Sequence, residues 1–149
     1  MLICCMTFDR KNSAGYVVNL MARLFARHLE AGIRPLGLGT GVFPALLMLW
    51  EKDGVTQRDL VDALEIEQPT MANTLSRMER DGLITRRRDE TDGRVQRIWL
   101  TDKARALETK ATGAANAVNA KALAGLSPGQ QKQFMDLMRR VVATLDHSR

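Results

Sequence analysis

The stretch Gln68-Pro69-Thr70-Met71-Ala72-Asn73-Thr74-Leu75-Ser76-Arg77-Met78-Glu79-Arg80 constrains this chain more than any other. Pro69 fits the first turn of a helix, where its missing N–H has no consequence. Asp81-Gly82 then supplies a left-handed stop. Glu67, just ahead, suits the positive end of the helix and is placed to cap its free amides. Met71, Leu75 and Met78 recur at i, i+4, i+7 and form an apolar stripe. Thr70, Asn73, Thr74 and Arg77 form a second stripe, polar and free of acidic residues. Hydroxyls, an amide and a guanidinium are the groups that read base edges and phosphates in a major groove. In isolation the same pattern describes any amphipathic helix with a solvated face, so its neighbours decide.

Upstream, Thr56 reads as an N-cap with Asp59 three residues on, opening a short helix to about Leu64. Glu65-Ile66-Glu67 is a turn with an apolar plug. Two short helices joined this way, the second with a polar outer stripe, make a helix-turn-helix. Downstream the period changes. Leu83-Ile84 starts a strand, and Val95-Gln96-Arg97-Ile98-Trp99-Leu100 reads as a second by its β-branched and aromatic content. The polar loop 89–94 between them completes a winged helix. Arg94, at the wing tip, is placed to enter a minor groove. Asp92 is placed to pair with it and hold its aim. Arg86, Arg87 and Arg88 flank the wing and would meet phosphates. A run of arginines also describes a solvated strand edge, but its position directly after a helix-turn-helix favours phosphate contact.

The remaining segments are helical. Ser13 caps a first helix to about Ala31, and a nearly all-apolar second helix is expected from about Thr40 to Glu51. Thr101 caps an alanine-rich helix bearing Leu107, Ala111, Ala114 and Val118. Ser127-Pro128-Gly129-Gln130 opens a last helix to about His147. These apolar faces are wider than a compact winged helix of ~70–80 residues covers. A second copy of the chain is the simplest partner, and a twofold dimer would set two reading helices ~34 Å apart on a palindromic site. The expected layout is a tail over 1–12 and one domain over 13–149. Within that domain the winged helix spans about 40–101, and dimerisation helices span about 13–33 and 102–147. The fold class is mostly α with a small β-wing.

Charge and cysteine content agree. Twenty-two Lys and Arg against 17 Asp and Glu give a net +5, suited to a polyanion. Cys4 and Cys5 are adjacent and cannot bridge each other in the ordinary way. No window approaches the ~18 apolar residues of a membrane span, and no signal peptide is evident, so the expectation is a cytoplasmic protein. Met6 is an alternative start. Two His and two adjacent Cys give no metal spacing, and no nucleophile elbow, phosphate-cradling loop or dinucleotide fingerprint is present. The chain is expected to be a non-enzyme without a cofactor.

The ordered combination of Thr56 to Leu60, Gln68-Pro69-Thr70, Arg77 to Ile84, Arg86 to Asp89, Asp92-Gly93-Arg94 and Leu100-Thr101 resembles the multiple antibiotic resistance regulator (MarR) family. Pro35-Leu36-Gly37-Leu38 fits as well, and the resemblance runs from about Ser13 to Leu145. It implies a homodimeric winged-helix transcription regulator, usually a repressor, whose DNA affinity falls on binding a small molecule or on cysteine oxidation. It makes 68–80 the recognition helix and Arg94 the wing arginine. Two departures stand out: Glu65 replaces a small turn residue, and Gln68 replaces a frequent proline, adding a base or phosphate contact. In proteins like this, effectors bind between the dimer helices and the winged core. Tyr16, His28, Phe43 and Trp50 are the candidate walls for a small aromatic effector, with plain core packing as the competing reading. Peroxide-sensing members carry a thiol near the start of the first helix, where this chain has Ala14-Gly15-Tyr16. Two alternatives stay open: a thiol-switched repressor using Cys4 and Cys5, and a protein-interaction winged helix without DNA readout.

Overall fold

The computed structural model describes residues 8–146. It comprises two compact units, one through Ala115 and one from Asn116. In the first, α1 (Ala14–Ile33) is capped by the Ser13 hydroxyl, which accepts from Tyr16 N. Arg10–Asn12, expected as tail, instead form a short 3-10 turn closed by the Asp9 carboxylate, which accepts from Lys11 N at 3.0 Å. Pro35 and the left-handed Gly37 stop the chain after α1. The next helix, α2 (Phe43–Glu51), starts three residues later than expected. Thr40 lies in a turn, its amide donating to Glu30 Oε2 at 3.2 Å across the loop.

The two-residue strand β1 (Val55–Thr56) leads directly into α3 (Gln57–Leu64). The capping box is complete. Thr56 Oγ1 accepts from Asp59 N at 3.1 Å, and Thr56 N donates to Asp59 Oδ2 at 2.8 Å. Those bonds hold the Asp59 carboxyl below its ordinary pKa. Glu65 ends α3 at φ +52°, the only non-glycine left-handed residue among those described. The departure from a small turn residue therefore leaves the turn intact, at a strain of about 1–2 kcal/mol. Ile66 packs on the core as the expected plug.

Helix α4 (Gln68–Arg80) keeps its expected bounds. Glu67 makes no side-chain cap, a correction to the sequence reading; its backbone carbonyl instead accepts from Met71 N. At the other end Leu83 N donates to Met78 O at 2.8 Å and Gly82 N to Glu79 O at 3.1 Å, with Gly82 at φ +71°. This is a Schellman close.

Strands β2 (Ile84–Arg88) and β3 (Gln96–Leu100) complete an antiparallel sheet of order β1-β3-β2. The register sets Ile84 opposite Leu100 and Arg86 opposite Ile98 on one face, and Thr85 opposite Trp99 and Arg87 opposite Arg97 on the other. Ile84, Ile98 and Leu100 join Met71, Leu75 and Met78 of α4 and Leu46 and Leu49 of α2 in one core. No local pattern announces β1, because a two-residue strand has no period. Next comes α5 (Asp102–Leu123), capped by Thr101 Oγ1, which accepts from Ala104 N. A Cβ added at Gly32 would lie 3.0 Å from Ala114 Cβ, so α1 and α5 meet through small residues. In the second unit α6 (Pro128–Asp146) opens on the expected box: Gln130 N donates to Ser127 Oγ, and Ser127 N to Gln130 Oε1. No described residue of α6 is buried.

Candidate nucleic-acid interface

On α4 the sides separate as the spacing requires, with one exception. Gln68, Thr70, Asn73 and Arg77 are exposed, while Met71, Leu75 and Met78 are fully buried. Thr74 is the exception. It is only 6% exposed, and its hydroxyl accepts from Arg77 Nη2 at 3.4 Å. It is removed from the expected outward stripe and instead steadies the arginine. At the start of the helix, Gln57 Nε2 donates to Gln68 Oε1 at 3.0 Å, tying the first turns of α3 and α4 together.

The arginine run divides by the two-residue period of a strand. Arg86 faces inward against α4. Its Nε lies 3.2 Å from Glu79 Oε2, and its Nη2 donates to Ser76 Oγ at 3.4 Å. The Nε–Glu79 approach is a charge contact and not an aligned hydrogen bond, since that buried Nε has no hydrogen-bond partner. Arg86, expected at a phosphate, is thus also engaged within the protein. Arg87 faces the other way, its guanidinium 5.9 Å from the centre of the Trp99 ring. Arg88 is exposed on the same strand face as Arg86, nearer the wing.

The wing loop is built on Asp89. Its Oδ1 accepts from Thr91 N at 2.9 Å, from the Thr91 hydroxyl and from Asp92 N at 3.1 Å. Its Oδ2 accepts from Arg97 Nε, whose Nη1 donates onward to Gly54 O at 2.9 Å. Arg94 is exposed at the tip. Asp92 supports it through the backbone, Oδ1 accepting from Arg94 N at 3.0 Å, and not through the side-chain pair expected from the sequence.

A family model described as MarR family matches residues 42–95, from α2 through the wing loop. The chain is similar to the transcriptional regulator HosA of Escherichia coli, with 33% identity over 94 residues, 63% of this chain and 70% of that protein. The chain belongs to the MarR family. It is also similar to the HTH-type transcriptional repressor Rv2887 of Mycobacterium tuberculosis, 27% identical over 85% of this chain and 91% of that protein. Among solved structures it shares the fold of a Listeria monocytogenes protein described as a MarR family regulator and solved with 26mer DNA. That TM-score is 0.85, with 22% identity over 92% of this chain and 91% of the other.

Three features of this MarR chain escape a sequence reading: the Asp89 carboxylate, Arg97 beneath it, and the packing of Trp99 on Gly54. The Asp89-Glu90-Thr91 spacing is the one local signal, since an aspartate commonly turns back on the amide two residues ahead. The Thr91 hydroxyl first, then Arg97 and the loop amides, hold the Asp89 carboxyl well below the usual carboxylate range. A depressed folded pKa means that the loop's stabilisation is complete above the ordinary value of 3.8 and is lost as pH falls below it. The Thr91 and Asp92 amide resonances are expected to hold steady from pH 7 to about 4 and to move in stronger acid. Asp89→Asn should abolish that acid limb; an unchanged limb would place its origin elsewhere.

The candidate effector residues are divided between α1, which carries Tyr16 and His28, and α2, which carries Phe43 and Trp50. Phe43 is buried, 6.2 Å from Trp50 in an edge-on contact, and the Trp50 indole N–H donates to Ala104 O at 3.1 Å. Phe43 belongs to the core and Trp50 packs against it. Tyr16 and His28 are exposed on α1, twelve residues or about 18 Å apart along the helix. Cys4, Cys5 and His147 lie outside the described residues. Among the described residues there is no cluster of three His, Cys, Asp or Glu able to hold a metal, and no helix long and apolar enough to cross a membrane.

Proposed function

We propose that this MarR-family regulator is a homodimeric repressor that reads a palindromic DNA operator and is released by a small aromatic effector. The acid-free exposed set Gln68, Thr70, Asn73 and Arg77 beside exposed Arg88 and Arg94 carries the reading. The α4 residues present base-reading groups along one helix, and the two arginines lie on the adjoining wing. A relative named as a repressor and a fold neighbour solved with DNA support the same reading.

Dimerisation is supported by α1, in which only Ile33 is buried. Tyr16, Val17, Val18, Leu20 and Leu24 remain 38–52% exposed there. In the other unit Leu137, Val141, Val142 and Leu145 are exposed as well. The winged helix over about 40–101 would then do the reading and the terminal helices the pairing. The effector would lie against α1, near Tyr16 or near His28, with Phe43 buried and Trp50 packed edge-on against it.

Gel shifts on the chain's own upstream region test the reading. Arg94→Ala should weaken binding and lower the salt slope; unchanged binding at several salt concentrations would refute the wing contact. Asn73→Ala and Arg77→Ala should each lower discrimination between operator and random DNA by ~1–3 kcal/mol. Equal losses on both DNAs would make them phosphate contacts instead.

A further inference from the structure

A continuous line of polar contacts joins α5 to the wing tip, and its hub is Asp53, in the turn before β1. Asp53 Oδ1 accepts from Leu100 N at 2.9 Å and from Gly54 N at 3.0 Å. Its Oδ2 accepts from Arg105 Nη2, on the second turn of α5, at 2.6 Å. The next peptide carries the line forward, because the Gly54 carbonyl receives Arg97, and Arg97 donates to Asp89. Asp89 in turn fixes the Asp92 amide, and Asp92 fixes the backbone of Arg94. The Asp53 and Asp89 side chains are 22% and 10% exposed, and their arginine partners 48% and 41%.

We propose that Arg105 and Asp53 are positioning residues for Arg94, so that the seating of α5 against the turn before β1 sets the aim of the wing on DNA. Arg105 touches no nucleic acid in this scheme. It neutralises and orients the Asp53 carboxylate, which holds the Gly54 peptide where its carbonyl faces Arg97. Withdrawal of Arg105 loosens the Asp53 carboxylate on a turn that Gly54 N also anchors to Ile98 O at 3.0 Å, and the Asp89 cradle loses part of its support. The inference rests on Arg94 being a DNA contact, and the experiment separates the two.

The full-length chain is titrated with a duplex selected from a random library by the wild-type protein. Arg94→Ala, Arg105→Gln and the double variant are compared across salt concentrations. Arg94→Ala is expected to weaken binding roughly tenfold. Arg105→Gln should weaken it about two- to tenfold, no more than Arg94→Ala, and lower the salt slope, a change that a purely structural residue would not produce. The double variant should bind no more weakly than Arg94→Ala alone, and Arg105→Lys, which keeps a cation against Asp53, should restore most of the affinity. Asp53→Asn provides a second variant of the same link, with the same expected non-additivity. Additive losses with either variant, or wild-type binding by both, would overturn the proposal. Wild-type binding by Arg94→Ala would remove the wing reading itself, and the positioning role with it.

Discussion

Gly54→Ala is expected to destabilise the chain by about 2–5 kcal/mol, a large part of the ~5–15 kcal/mol that separates folded from unfolded domains. Two effects add. The residue sits at φ +73°, where any side chain is strained by about 1–2 kcal/mol. A Cβ there would also lie 2.6 Å from Trp99 Cη2 and 2.7 Å from Cζ2. The indole would have to swing off the turn, with an overpacking penalty of about 1–3 kcal/mol. Urea melts should show a lower midpoint with an unchanged slope. In a Trp99→Ala background the second effect disappears, and Gly54→Ala should then cost only about 1–2 kcal/mol. Equal losses in both backgrounds would show that the ring does not oppose the new methyl group.

The double substitution Leu20→Glu with Leu24→Glu should leave the winged helix folded but convert the protein to monomers. Val17, Leu20 and Leu24 lie at i, i+3, i+7 and share one face of α1, none of it buried in the chain. Placing two carboxylates on a face that meets its own copy buries unpaired charge twice over. A monomer engages one half-site at a time, so affinity for a full palindrome should fall by about 10²–10⁴ while affinity for a single half-site stays near its original value. Sedimentation velocity reads the first effect and duplexes of the two lengths read the second. A dimer that survives both charges would move the pairing surface elsewhere.

Much of this architecture was legible in local chemistry. Thr56 and Asp59, Thr101, Ser127 and Gln130, and Gly82 each mark a helix end through bonds spanning a few residues, and all of them form. Thr74 was misplaced for a geometric reason. At about 100° per residue it lies about 40° from Met78 on one side and about 40° from Thr70 on the other. A stripe drawn from spacing alone cannot assign a border position; packing against the core does. Residue type alone makes the arginine run a single patch, whereas strand alternation divides it, sending Arg86 to Glu79 and Arg87 to Trp99. Asp53 was invisible for another reason. Its contacts with Leu100 and Arg105 span 47 and 52 residues, and no local pattern announces a bond of that length.

The contact of Arg86 with Glu79 and Ser76 spans the join between α4 and β2, beside the Schellman close that already fixes that corner. Helix α4 and the base of the wing are thereby tied together at that corner, between the part that would enter one groove and the part that would enter the next. Any mismatch in groove spacing must then be absorbed by bending or untwisting the duplex. Sequences that deform easily between the contacted bases would be favoured even where no side chain touches them.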